Sequence, residues 1–197
     1  MPEQPDLQVI SGRLERGEID SAEYLDQLMR FVASQIGCAR AGLRLLVDGE
    51  FGRTLRCIAM YDATLDRMIG AADIVHVDGG AYFEQLLRDG NVTATSSAAT
   101  DAAFAHYLAG AGVSAVMDMG FSVNGVLYGA FSCEQVGAPV EWTQRQLQSL
   151  RKIASRASLT LMHVITASID TAPGALWESS TPNRLATMPI PLDPGKS

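Results

Sequence analysis

Apolar residues crowd both sides of Asn124-Gly125, and that dipeptide takes the positive φ angles of a tight two-residue turn, so residues 113–136 predict a β-hairpin. If Val123 pairs with Val126, Met119 stands opposite Ala130 and Asp118 opposite Phe131. Alternation then puts Met117, Met119, Phe121, Val123, Val126, Tyr128 and Ala130 on one surface, and Val116, Asp118, Gly120, Gly129, Phe131 and Cys133 on the other. The first surface is continuously apolar and needs helical cover. The second is notched by glycines and holds one carboxylate, which suits the lining of a cavity.

Elsewhere the helical period dominates. Asp20 with Glu23 forms a capping-box pattern, and Leu25, Leu28, Met29, Val32 and Ile36 recur on one face until Gly37, which predicts a first helix. Thr143 with Gln146 repeats the pattern ahead of the stripe Leu147, Leu150, Ile153, Ala154, Ala157, Leu161, Val164 and Ile165, a long helix expected to end near Ser168. Between them, residues 41–47, an apolar run broken by Arg44, and residues 54–61 read as paired strands around Asp48-Gly49 and Gly52. Residues 71–77 read as a third strand, 82–87 as a short helix stopped by Gly90, and 92–95 as a strand. A small-residue loop at 95–100 follows, and Asp101 is the expected cap of a helix over 102–108. The lead-in, 1–17, is polar and partly helical after Ile10; the tail, 170–197, carries Pro173, Pro182, Pro189, Pro191 and Pro194 and reads as extended.

This order predicts an α+β fold over residues 18–169. A central antiparallel sheet carries its first and last helices on one face, while the short middle helices arch over the other. The greasy hairpin surface then meets Leu25, Val32, Leu150 and Ile153, and Asp118 looks under the arch.

Composition narrows the function. With 197 residues, 47% of them hydrophobic, the chain can bury one full core. A net charge of −7 argues against a phosphate-backbone binder, so no nucleic-acid partner is expected. No apolar run approaches the ~20 residues needed to cross a bilayer, and MPEQPDLQVI lacks a signal-peptide layout, so the expected location is the cytoplasm, without a membrane partner. Cys38, Cys57 and Cys133 are odd in number and widely spaced, and read as buried free thiols.

Asp118 is the leading candidate residue, because a carboxylate inside a strand needs a partner: either a donor-rich or cationic ligand or a structural hydrogen bond. Val116 and Phe131 would share its surface. Tyr82, Phe83, Phe104 and Tyr107, on the two short helices, would roof the cavity and contact a flat ligand, or pack the roof onto the sheet. His106, near the pocket, is a further candidate ligand contact, and it is a better candidate than His76 for a haem-iron ligand, although both are lone histidines without the companions of a metal site; His163 falls on the long helix. No serine-nucleophile motif, phosphate loop or paired metal ligands is visible, so no catalytic or metal-binding residue is assigned and no cofactor is named.

The pieces AYFEQLLRDGNVTATSSAATDAAF, HYLAGAGVSAVMDMGF and VNGVLYGAFSCEQVGAPVEWT give the chain a resemblance to a GAF domain of the bacterial signalling type, from about residue 20 to residue 168. The last piece is the most specific, with its glycine-bearing strand, Val-Gly turn and Trp142 ahead of the closing helix. The resemblance implies a sheet of five or six antiparallel strands, a pocket between sheet and middle connections, and dimers formed through terminal helices. The region is also similar to the chromophore-binding domain of phytochromes through His106, Tyr107, Leu108 and Gly112-Val113. There, however, Val116, Asp118 and Gly120 stand where that family carries serines that hold bilin propionates, an aspartate repels carboxylates, Cys133 is followed by Glu134-Gln135 rather than two histidines, and no thioether cysteine is in place.

The resulting expectation is a non-enzymatic sensor that binds an unidentified small effector, signals through a helical homodimer and acts on a downstream signalling protein. The alternatives are a redox enzyme of the free methionine sulfoxide reductase type and a ligand-free dimerisation module. The cysteines fall on strands or beside a helix end, short of the loop placement that reductase chemistry needs.

Overall fold

The computed structural model describes residues 6–49, 52–71, 74–75, 81–95 and 102–171. The elements run α1 (Leu7–Glu15), α2 (Ser21–Ile36), β1 (Arg40–Gly49), β2 (Gly52–Asp62), β3 (Arg67–Met68), β4 (Ile74–Val75), α3 (Ala81–Asp89), β5 (Asn91–Thr95), α4 (Ala102–Ala111), β6 (Val113–Val123), β7 (Val126–Val136) and α5 (Gln144–Thr171). The strands form one antiparallel sheet in the order β3-β2-β1-β7-β6-β5, with β4 also on β2. Five strands are long; β3 and β4 have two residues each at the margin.

Local chemistry explains the boundaries. Asp20 Oδ1 accepts from the Glu23 backbone N–H at 2.8 Å, and Gly37 closes α2 with φ 74°, a left-handed conformation that costs glycine little. At α5 the Thr143 N–H donates to Gln146 Oε1 at 2.9 Å, while the Gln146 N–H donates back to Thr143 Oγ1 at 3.3 Å. The helix α1 begins earlier than the expected start after Ile10, because Leu7 and Ile10 are both buried against the helix layer. The helix α4 runs three residues past the expected end at Leu108, to Ala111, and the expected strand over 71–77 is described only at Ile74–Val75. The loop at 96–100, the Asp101 cap, His76 and the tail beyond 171 lie outside the described residues. No helix among the described residues is long and apolar enough to cross a membrane.

Two cores flank the sheet. On one face α1, α2 and α5 bury Leu25, Leu28, Val32, Leu150, Ile153, Ala157 and Leu161 with Met117, Met119 and Phe121 of β6. On the other, α3 and α4 bury Tyr82, Phe83, Leu86, Tyr107 and Leu108 with Val116, Ala130 and Leu55. The methionine-bearing side of β6 therefore meets the long helices, as the alternation requires.

The expected register of β7 needs correction. Val123 does pair with Val126, but Ser122 pairs with Leu127 and Phe121 with Gly129, so Tyr128 is an extra residue, a β-bulge. Beyond it Met119 stands opposite Phe131 and Asp118 opposite Ser132. Because side chains alternate, one inserted residue exchanges the faces of everything that follows it on β7. Ala130, Ser132 and Glu134 turn to the α3/α4 side, and Phe131 and Cys133 to the long helices.

Candidate functional site

Asp118 sits mid-strand, with Val92 of β5 on one side and Ser132 of β7 on the other, and is fully buried. Two hydroxyls satisfy it. Ser132 Oγ donates to Oδ1 at 2.5 Å, and the Tyr82 phenol, on the first turn of α3, donates to Oδ2. Burial pushes the Asp118 carboxyl up to about 6, against the lowering effects of the Ser132 and Tyr82 hydrogen bonds and of Arg44. The same burial, together with the neighbouring carboxylate, raises the Tyr82 phenol well above its ordinary range, so Tyr82 is a donor, not a base.

A second polar cluster adjoins it. Arg44 of β1 is fully buried and Glu134 of β7 is 1% exposed; Arg44 Nη2 donates to Glu134 Oε1 at 3.2 Å and to the Tyr107 phenol oxygen. Tyr107, from α4, donates its own proton to Glu134, and its ring lies under the Arg44 guanidinium at 4.7 Å. Burial opposes the charge on Arg44, yet Tyr107, Cys57, Glu134 and Asp118 around it hold the guanidinium above its usual range. Across the sheet Arg44 pairs with Ala130, two steps of the pleat from Glu134, so the long arginine side chain reaches along β7 to the carboxylate. A bulge at Ile58 of β2 aligns Cys57 with Arg44 and brings that thiol into the same layer.

Each roof helix is thus fastened to the sheet by a tyrosine on a carboxylate: α3 by Tyr82 on Asp118, and α4 by Tyr107 on Glu134. Further hydrogen bonds reinforce both. The Gly120 N–H donates to Gly90 O at 2.8 Å just after α3, and Arg40 Nη1 donates to Ala111 O at 3.0 Å at the end of α4, with Arg40 itself held by Asp62 at 2.9 Å. Close approach at Gly129 completes the arrangement: a Cβ there would meet the Arg44 carbonyl oxygen at 2.0 Å.

Most of the residues expected in the site are brought together. Asp118, Val116, Tyr82, Phe83 and Tyr107 are buried in the roof layer, and Phe83 packs edge-on to Tyr82 with ring centroids 5.4 Å apart. Phe131 is not among them. The bulge at Tyr128 turns it to the long-helix core, where it meets Phe121 edge-on at 6.0 Å. His106 is exposed on α4, and the side chain of Phe104 lies outside the described residues. Among the described residues no His, Cys, Asp and Glu group is placed to hold a metal ion. All three cysteines are free and buried, and burial, with the Cys38 thiol beside it, pushes the Cys133 thiol up, away from nucleophilic reactivity.

Arg44, Ser132 and Glu134 are the residues that sequence reading missed. Arg44 left one signal, a lone charge interrupting the apolar run of β1. Ser132 and Glu134 left none that alternation could read, since the bulge conceals their face.

Comparison with known proteins agrees with this architecture. The family model of the GAF domain matches residues 20–161, while no curated protein matches the chain. Solved structures of similar fold include the blue-light absorbing form of the PixJ GAF domain of Thermosynechococcus elongatus, 18% identical, with a TM-score of 0.55, covering 77% of this chain and 91% of that one. The phycoerythrobilin-bound GAF domain of a cyanobacterial phytochrome is 13% identical, with a TM-score of 0.61 and coverage of 82% and 95%. A domain of a two-component sensor histidine kinase protein from Sinorhizobium meliloti is 16% identical, with a TM-score of 0.54 and coverage of 76% and 97%. At such identities the likeness is one of fold. The family match spans well over half of the 197 residues, and the protein belongs to the GAF domain family.

Proposed function

We propose that this chain is a non-enzymatic sensor module that binds a small molecule between its sheet and the α3/α4 roof, and that transmits occupancy through the helix layer to a second copy of itself and on to a signalling partner. The observation that carries the reading is Asp118: a fully buried carboxylate, raised to about 6, whose two donors are both hydroxyls. An acid in that position is unfavourable to folding, and a carboxylate retained against its desolvation marks a candidate ligand contact. GAF domains of similar fold from a two-component sensor histidine kinase and, with phycoerythrobilin bound, from a cyanobacterial phytochrome support a signalling role.

The charges set the ligand class. Among the described residues of this layer, the buried carboxyls of Asp118 and Glu134 face the buried guanidinium of Arg44, while Arg40 is held by Asp62. An anionic guest would be repelled; a neutral donor or a cation would take the place of Tyr82 on Asp118 and free α3 to move. On the reverse of β6, Met117 and Met119 share the core of α2 and α5, so a displacement of the strand is felt by the long helices.

Thermal-shift screening against nucleosides, cyclic nucleotides, amino acids and amines tests this. A stabilising compound whose effect falls in Asp118→Asn is expected. A compound that stabilises both forms equally, or a panel with no hit, contradicts the assignment.

A further inference from the structure

On the opposite side of the sheet from the polar roof layer, α1 and α5 enclose a cavity of about 340 Å³ that opens to solvent. Its apolar contribution comes from Leu7 of α1 and from Leu159 of α5, which is 66% exposed, unusual for a leucine in the middle of a long helix. Gly12 keeps the α1 wall low: a Cβ there would approach only the flexible Arg16 guanidinium, at 3.0 Å. One charge of each sign stands at the rim, Glu15 on α1 and Arg156 on α5, and among the described residues neither is in an ion pair.

Beneath the rim lies a buried polar atom without a partner. Tyr24 of α2 is fully buried, and its phenol oxygen makes no hydrogen bond of good geometry. It ends beside the hydroxyls of Ser11 and Thr160, which line the same cavity, and within reach of the Glu15 charge. An unsatisfied buried hydroxyl is unfavourable unless something supplies the missing bond. The Tyr24 oxygen does not itself line the cavity; Ser11 and Thr160 stand between it and a guest, so the guest is held by the lining residues.

The geometry points to a second ligand site in the α1/α5 cavity, one that takes a small aliphatic α-amino acid as its zwitterion: carboxylate to Arg156, ammonium to Glu15, apolar side chain over Gly12 between Leu7 and Leu159. A singly charged ligand satisfies one rim charge and is repelled by the other; a zwitterion satisfies both. The site is built on the helices that carry the proposed signal, and its existence does not depend on a ligand beneath the α3/α4 roof.

Calorimetric titration of the full chain with L-leucine, 4-methylpentanoate and 3-methylbutylamine tests the assignment. L-leucine is expected to bind one per chain, and each analogue, lacking one charge, about tenfold or more weaker. Arg156→Ala, at an exposed position, and Gly12→Phe, which fills the cavity, are expected to remove leucine binding, while Asp118→Asn leaves it unchanged. No saturable heat with L-leucine, equal binding of all three compounds, or persistence in Gly12→Phe overturns the proposal. So does loss in Asp118→Asn, which places the ligand under the roof, or a dimer broken by Leu159→Asp, which places a second copy in the cavity.

Discussion

Tyr82 of α3 gives its phenolic hydrogen to Asp118 of β6, so the carboxylate proposed to hold a ligand is also the carboxylate that holds the roof helix to the sheet. Ligand binding and roof position then compete for the same lone pairs. That competition is a physical route by which a small molecule could change the shape of the domain, and it sets what substitution at either residue should do.

Removing the Tyr82 hydroxyl leaves Asp118 with Ser132 as its hydroxyl donor. Tyr82→Phe should destabilise the fold by about 1–3 kcal/mol, the range for a buried acceptor deprived of a donor. Since the Tyr82 hydrogen bond lowers the Asp118 pKa, its loss should raise that pKa further. Hydrogen exchange should quicken first in α3. Uniform quickening across the sheet would contradict a local latch.

Asp118 also makes stability depend on pH. Its carboxyl is raised from an ordinary 3.8 to about 6, so between these values the folded chain binds more protons than the unfolded one. Stability relative to Asp118→Asn should be greatest below the unfolded pKa, fall as pH rises through about 6, and level off above. The drop is on the order of 1–3 kcal/mol. Urea denaturation of both forms from pH 4 to 8 measures it. A constant difference between the two would show that Asp118 titrates normally.

Arg44 and Glu134 form the other buried pair. Arg44→Met leaves Glu134 without its cation and should cost about 3–5 kcal/mol, whereas the double change Arg44→Met with Glu134→Leu should recover much of that loss. Denaturation of the three variants gives the coupling energy. Additive losses would mean that the two side chains do not act as a pair.

Two glycines separate backbone crowding from side-chain crowding. At Gly129 an added Cβ meets the Arg44 carbonyl oxygen at 2.0 Å, and backbone cannot step aside, so Gly129→Ala should cost about 3 kcal/mol or more. At Gly120 the nearest atom is Leu127 Cδ1 at 2.7 Å, the movable end of a side chain, and Gly120→Ala should cost about 1 kcal/mol. The reverse order, read from melting curves, would contradict the strand approach described.

Much of this fold was legible because its elements announce themselves locally. Asp20 and Thr143 cap helices through side chains three residues from their partners, and Asn124-Gly125 turns the hairpin at φ 51° and 77°. The burial of Asp118 followed from its neighbours on β6. What the sequence did not reveal lies beyond two of the register shifts in the sheet. Tyr128 and Ile58 are each an ordinary strand residue, and nothing in their chemistry says that they will be skipped in the pairing. Beyond Tyr128 alternation points to the wrong face, which puts Phe131 in the expected site and leaves out Ser132 and Glu134. Arg44 was visible as a charge in an apolar run, but its partner was hidden by the same displacement.

Native mass spectrometry on freshly purified protein addresses the sensor reading most directly. The account predicts a small organic molecule, neutral or cationic, retained by the wild type and lost from Asp118→Asn while the fold persists. A bare chain that no metabolite fraction stabilises, or a guest held equally well without the carboxylate, would contradict it.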